Sequence, residues 1–248
     1  MNDHIDALVR RMADGEALKF KPFWGHSGSG LGPWILSQWY PAPFSADGNT
    51  YQTAEHWMMA QKALLFADAA SAREIIAANS PGAAKALGRG VQDFDEETWE
   101  QARYAIVVTG NVLKFRQNPP LAKWLDETGD VVLVEASPQD RIWGIGMSAT
   151  DPGAKNPAAW KGQNLLGFAL GEARDRLRRF PRPAMPDGAL TPPWVEFPDH
   201  HRYSAFWRMG AGEAYVTALR ESWESLTADQ RIEIELVYPA TGAWSGWY

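Results

Sequence analysis

The stretch Thr53–Ala69, TAEHWMMAQKALLFADA, decides how this chain folds. It contains neither Gly nor Pro and is rich in Ala, Met, Leu and Gln, which lose little freedom in a helix. It predicts a helix, and its surroundings extend the pattern. Ser71–Ala78 and Pro81–Leu87 predict short helices, the second with Pro in its first turn. Asp95 predicts an N-cap, with Glu96 and Glu97 suited to the helix dipole. From there Trp99, Ile106, Val107 and Leu113 mark the apolar face of a helix to about Asn118. Pro120 opens another short helix to about Asp126, and a last helix is expected over Gly162–Arg179. Strand signals are fewer. Val131–Glu135, VVLVE, is β-branched, and Arg141–Gly144 is a shorter candidate. The expected class is α+β: a mainly helical single domain with a small β element.

The flanks divide the chain of 248 residues. Ile5, Leu8, Val9 and Met12 form one helical stripe, so residues 1–19 are expected to hold an N-terminal helix. That stretch is charged and predicts no signal peptide. The main domain covers 20–180. Six prolines lie between Pro181 and Pro198, where a fixed φ and a missing N–H predict a linker over 181–198. Residues 199–248 form a Trp-rich extension, too small for a large core of its own and therefore expected to dock. It offers a helix over Gly212–Leu226 and a strand over Ile232–Val237.

Composition narrows the chemistry. With no Cys, the chain has no disulfide, thiolate zinc site or Cys nucleophile. A formal net charge of −6 argues against a general nucleic-acid binder. No apolar run reaches the ~18 residues of a spanning helix, so no membrane partner is expected and the cytoplasm is the default location. The loop Phe23–Gly30, FWGHSGSG, is Gly-rich but lacks the Lys-Ser/Thr of a phosphate loop, and reads as a flexible lid. No H-E-x-x-H pattern is present, so no metal is expected.

Three clusters carry candidate chemistry. In the first, Glu55 and Lys62 lie seven residues apart. At ~100° per residue they differ by about 20° and share a face, with a rise of about 10.5 Å that could bracket a small sugar. The ordinary alternative is a solvated face. In the second, Glu135–Gly146, a strand ends in a turn carrying Asp140, Arg141, Trp143 and Gly144. A Trp face beside a carboxylate suits stacking on a base while the carboxylate grips ribose hydroxyls. The alternative is a turn Asp and a core Trp. In the third, Trp160–Gly167, Asn164 could orient a polar ligand and Gly162 permits close backbone approach. The alternative is a helix start with Trp160 as packing anchor.

Taken in order, E-H-x-x-x-x-Q-K, S-P-x-D-x-x-W-G-x-G and W-x-G-x-N-L-L-G resemble the NADAR family, also called YbiA-like. Leu36-Ser37, the Asp47-Gly48 turn before Tyr51, Lys114-Phe115 and Arg174 match as well, and the resemblance spans about residues 20–180. Gln38 departs from an expected Asn, and Gly171 from a larger apolar residue. The resemblance implies an N-glycosidase that cleaves the ribose C1–N bond of a ribosylamine phosphate in the riboflavin pathway or of ADP-ribosylated guanine. Nucleic acid would then enter only as an ADP-ribosylated substrate. It also implies a lysine that forms a Schiff base with C1, here assigned to Lys62, with Glu55 or Asp140 moving protons. Trp143, Gly144, Trp160, Gly162, Asn164 and Arg141 are the expected substrate contacts, and no cofactor or metal is required. A non-catalytic ADP-ribose or nucleotide-binding module is the other reading of the same pocket.

Overall fold

The computed structural model describes residues 3–248. Met1 and Asn2, which the sequence includes in the N-terminal helix, lie outside the described residues. The chain runs α1 (Asp3–Ala13), β1 (Phe20–Phe23), β2 (Phe44–Ala46), β3 (Asn49–Tyr51), α2 (Ala54–Leu65), α3 (Ala69–Ile76), α4 (Pro81–Arg89), α5 (Glu96–Gln117) and α6 (Pro119–Asp126). It continues with β4 (Val132–Glu135), α7 (Leu165–Arg179), α8 (Pro193–Glu196), α9 (Gly210–Ser225) and α10 (Ala228–Val237). This is an α+β arrangement, mainly helical with a small β element.

Local chemistry sets the helix starts. Thr53 caps α2 by accepting the His56 N–H, and its hydroxyl also meets His56 Nδ1 at 2.8 Å. Asp95 caps α5 through the Thr98 N–H at 2.8 Å. The long α5 is the spine on which α2 and α7 pack. Trp57 of α2 is buried and donates its indole N–H to the Ile106 carbonyl of α5 at 2.8 Å. Gly110 is required at that crossing, because a Cβ there would collide with the Trp57 ring.

The β element is two separate pairs. β1 and β4 are parallel, in register from Phe20↔Val132 to Phe23↔Glu135. β2 and β3 form a hairpin whose turn residues Asp47 and Gly48 both have positive φ, 50° and 74°, as a two-residue hairpin turn requires. Parallel strands need a long crossover, and here α2 to α6 supply it. Glu135 thus lies at the C-terminal edge of β4, beside the end of β1.

Two expected strands are not strands. Over Arg141–Gly144 the Asp140 carboxylate takes the N–H groups of Ile142 and Trp143, at 2.9 and 2.7 Å, so these donors are lost to a ladder. Ile232–Val237 belongs to α10. Its alternating Ile232, Ile234 and Leu236 imitate a strand over a run too short to fix the period. Thr227 and Gln230 form a capping box that starts a helix instead, and Ile232 and Leu236, one turn apart, both pack on the main core.

The extension lies against the main domain. Arg176 of α7 pairs with Glu235 at 2.7 Å, and Arg116 of α5 donates to the Leu236 carbonyl. The Gly242 N–H reaches Gln61 Oε1 of α2 at 2.7 Å. Trp194 of the linker and Trp207, Trp244 and Trp247 of the extension form a linked aromatic group. Among the described residues, no helix is long and apolar enough to cross a membrane.

Candidate active site

The second and third sequence clusters are one structure. The loop after β4 folds back so that Ile145 N–H meets the Glu135 carbonyl at 2.9 Å and Gly146 N–H the Asp140 carbonyl at 3.0 Å. The chain beyond Trp160 then zips onto this loop. Lys161, Gln163 and Asn164 donate their N–H groups to the carbonyls of Ile145, Arg141 and Gly144 at 3.0, 2.9 and 3.0 Å. A Cβ on Gly162 would collide with the Gly144 carbonyl, and one on Gly144 would press on the Glu135 carbonyl. Both glycines allow backbone to pack against backbone.

Asn164 has a similar internal role. It is fully buried, with φ 53° that ends the run before α7 and delays that helix to Leu165. Its Oδ1 accepts the Glu135 N–H at 2.9 Å and its Nδ2 donates to the Leu133 carbonyl at 3.0 Å. Both ends of the amide pin β4. Trp160 packs on the smaller core with its indole N–H on the Ala154 carbonyl at 3.0 Å. Trp143 is half-buried against the main core, and Arg141 is exposed.

The carboxylates do converge. Glu55, in the first turn of α2, is 2% exposed, and its Oε1 has no hydrogen-bond partner. Burial pushes it up to about 7; Lys85, a Trp39 hydrogen bond and Arg89 oppose the rise, and Asp140 adds to it. Glu135 is pushed up to about 8, first by burial and then by Asp140 and Glu55, with Lys85 opposing. Its Oε2 is also buried without a partner. Three carboxyls from α2, β4 and the following loop thus share one electrostatic field with the ammonium of Lys85 on α4. Trp39 closes the group, with Lys85 Nζ 6.0 Å from its ring and His26 of the Gly-rich loop 5.6 Å away. That loop owes Gly28 and Gly32 to packing, since a Cβ on either would collide with the Trp34 ring.

Lys62 keeps different company. Its Nζ donates to the Gly88 carbonyl at 2.9 Å and lies 4.0 Å from the centre of the Phe94 ring. Burial lowers its pKa, and Glu96 of α5, not a site carboxylate, opposes the shift. The shared face of Glu55 and Lys62 is real helix geometry, but α4 turns its Gly88 end to Lys62 and its Lys85 to Glu55. Glu135 and Lys85 are the residues that the sequence motifs do not single out. Glu135 stands inside a quoted cluster, at the polar end of an apolar strand, which was a usable signal. Lys85 lies in an ordinary amphipathic helix and gave none.

The surroundings are braced by buried polar side chains. Lys114 of α5 is fully buried and donates to the carbonyls of Ile35 and Ser37, at 2.7 and 3.0 Å. Gln38 donates to Asn111 Oδ1 at 3.1 Å, and its carbonyl accepts the Glu55 N–H at 2.9 Å. Gln38 is therefore held by α5 and sets the start of α2. Gly171 faces open space, with only Arg174 Nη2 near a Cβ, at 3.9 Å. Among the described residues, no three His, Cys, Asp or Glu side chains are grouped to hold a metal ion.

The NADAR domain profile matches residues 22–178. The chain belongs to the NADAR family. N-glycosidase R617 of Acanthamoeba polyphaga mimivirus is 41% identical over 165 residues, which cover 64% of this chain and 97% of that protein. N-glycosidase YbiA of Shigella flexneri is 32% identical over 142 residues, covering 57% and 80%. The solved NMR structure of E. coli YbiA superposes with a TM-score of 0.53 at 26% identity, covering 75% of this chain and 90% of that one. The matched domain places this NADAR protein among the N-glycosyl hydrolases, and the carboxyl cluster supplies groups that such chemistry needs. α9 and α10 lie beyond the matched domain.

Proposed function

We propose that the substrate is a ribose joined through C1 to an amino or ring nitrogen, and that Lys85 is the amine that attacks C1. The observation that carries this reading is a lysine whose charge acts on two carboxyls, Glu55 buried and Glu135 half-buried, pushed up to about 7 and about 8. The sequence points to Lys62 for the amine. What supports Lys85 is its company: its charge acts on both Glu55 and Glu135, whereas Lys62 is tied to Gly88, Phe94 and Glu96.

In this scheme Glu55, with a pKa near the working pH, takes a proton from the Lys85 ammonium. The free amine displaces the nitrogen base at C1, the ring then opens, and a Schiff base remains. Water adds to C1 and releases the sugar and the amine. Asp140 holds ribose hydroxyls through Oδ2, since Oδ1 is occupied by backbone N–H groups. Trp143 on the Asp140 loop and Trp39 beside Lys85 are the stacking faces in this scheme. The net charge of −6 favours a small ribosylamine phosphate over ADP-ribosylated guanine within a nucleic acid.

Both substrates should be assayed side by side by chromatography of the released base. Borohydride reduction during turnover should leave a sugar adduct on the wild-type chain and on Lys62→Met, and none on Lys85→Met. An adduct that persists in Lys85→Met and disappears in Lys62→Met would return the role to Lys62.

A further inference from the structure

The three carboxyls are not equivalent. Asp140 is engaged by the N–H groups of Ile142 and Trp143. Glu55 is almost wholly enclosed. Glu135 combines one dry, unpartnered oxygen with a residue that is only half-buried, more open than Glu55. Its backbone is held on both sides, by Asn164 Oδ1 at the N–H and by the Ile145 N–H at the carbonyl, each at 2.9 Å. A buried Asn in the left-handed conformation is a costly way to hold a strand end, and its effect is to fix where the Glu135 side chain starts.

We infer that Glu135 is a second catalytic residue of this site, the acid that protonates the departing nitrogen. The inference rests on the N-glycosidase reading above. As the C1–N bond breaks, the Glu135 carboxyl gives its proton to the nitrogen, which leaves as the neutral base with the bond's electron pair. The resulting carboxylate then takes a proton from the water that adds to C1. The sum is one water consumed, one C1–N bond replaced by C1–O, and Glu135 returned to its protonated form. The groups facing it suit this cycle: Glu55 on α2 and Asp140 on the loop disfavour its ionised form, and Lys85 on α4 limits that effect. An acid at about 8 is mostly protonated at neutral pH and can still release its proton.

The test uses the full chain and two substrates. One is an aminopyrimidine ribosylamine phosphate, whose nitrogen must be protonated to leave. The other is nicotinamide mononucleotide, whose ring nitrogen leaves without a proton. Glu135→Gln should lower kcat on the first by about 100-fold or more and change cleavage of the second by less than about threefold. It should also abolish the alkaline limb of the pH–rate profile near pH 8, while Glu135→Asp, which keeps an acid, should retain that limb. Equal losses on both substrates, or an unchanged alkaline limb in Glu135→Gln, would overturn the role. If the wild-type chain cleaves only the first substrate, the limb decides alone, and if Glu135→Gln does not fold, Glu135→Asp decides by keeping or losing it. A wild-type chain that cleaves neither substrate would instead refute the substrate reading, and this inference with it.

Discussion

The two ends of α2 treat a charged side chain in opposite ways. Near the C-terminal end, Lys62 has a carbonyl partner, an aromatic face and a nearby carboxylate. At the N-terminal end, Glu55 is more deeply buried and yet has an oxygen without a partner. An unpaired buried polar atom costs about 1–3 kcal/mol, and a fold that can complete Lys62 can complete a glutamate. On the proposed reading, the N-terminal end is where stability is given up for reactivity.

The sharpest way to break this comparison is Glu55→Gln. Removing the proton carrier should lower turnover by roughly 10²–10⁴-fold. Stability should move the other way. A carboxyl whose folded pKa is raised binds its proton more tightly in the folded state, so the wild type loses stability as pH rises from about 4.5 through 7. Above that window Glu55→Gln should be more stable, by roughly 3 kcal/mol at pH 8, and below pH 4 the gain should vanish. Urea unfolding at the two pH values measures it. A variant that is active and less stable at pH 8 would show that Glu55 is a structural group like Lys62.

Asn164→Ala should have the next largest effect, and it sharpens the contrast from the side of Glu135. The substitution leaves the Glu135 N–H and the Leu133 carbonyl without partners and replaces Asn, which tolerates φ 53°, by Ala, which does not. The expected loss is about 3 kcal/mol, read by thermal or urea unfolding. Asn164→Gly, which accepts that φ, should recover about 1 kcal/mol of it while remaining as poor in turnover. Full recovery of turnover in Asn164→Gly would mean that the side chain does not position Glu135.

These residues also show what could be read from the sequence. Helix starts were legible because caps are local: Thr53 and Asp95 sit beside the N–H groups that they satisfy. Glu55 and Asp140 were legible as a pair through their motifs. Asn164, Gly144 and Gly162 stood out for the same reason, but a motif does not say whether a residue meets a ligand or the backbone of another motif, and here they meet backbone. Lys85 was invisible because its place beside Glu55 depends on how α4 packs on α2, some thirty residues away in the chain. The period-2 pattern of Ile232, Ile234 and Leu236 misled because six residues do not separate a strand from a helix whose cap lies further upstream.

The smallest expected effect belongs to Lys62→Met, and its smallness is the point. Methionine keeps the apolar stem against Phe94 and Trp99 and removes the ammonium that burial disfavours. What is lost is a half-buried hydrogen bond to Gly88 and a cation–π contact, together about 1 kcal/mol. Part of this is offset at neutral pH, because a lysine with a lowered folded pKa holds its proton less tightly in the folded chain than in the unfolded one. Stability should therefore change by no more than about 1 kcal/mol, and turnover by no more than about threefold. Lys85→Met, one turn before Gly88 on α4, should abolish turnover with as little change in stability, since among the described residues Lys85 makes no short ion pair that would be lost. If Lys62→Met abolishes turnover and Lys85→Met does not, the two ends of α2 are one site about 10 Å long, and the contrast between them is only one of packing.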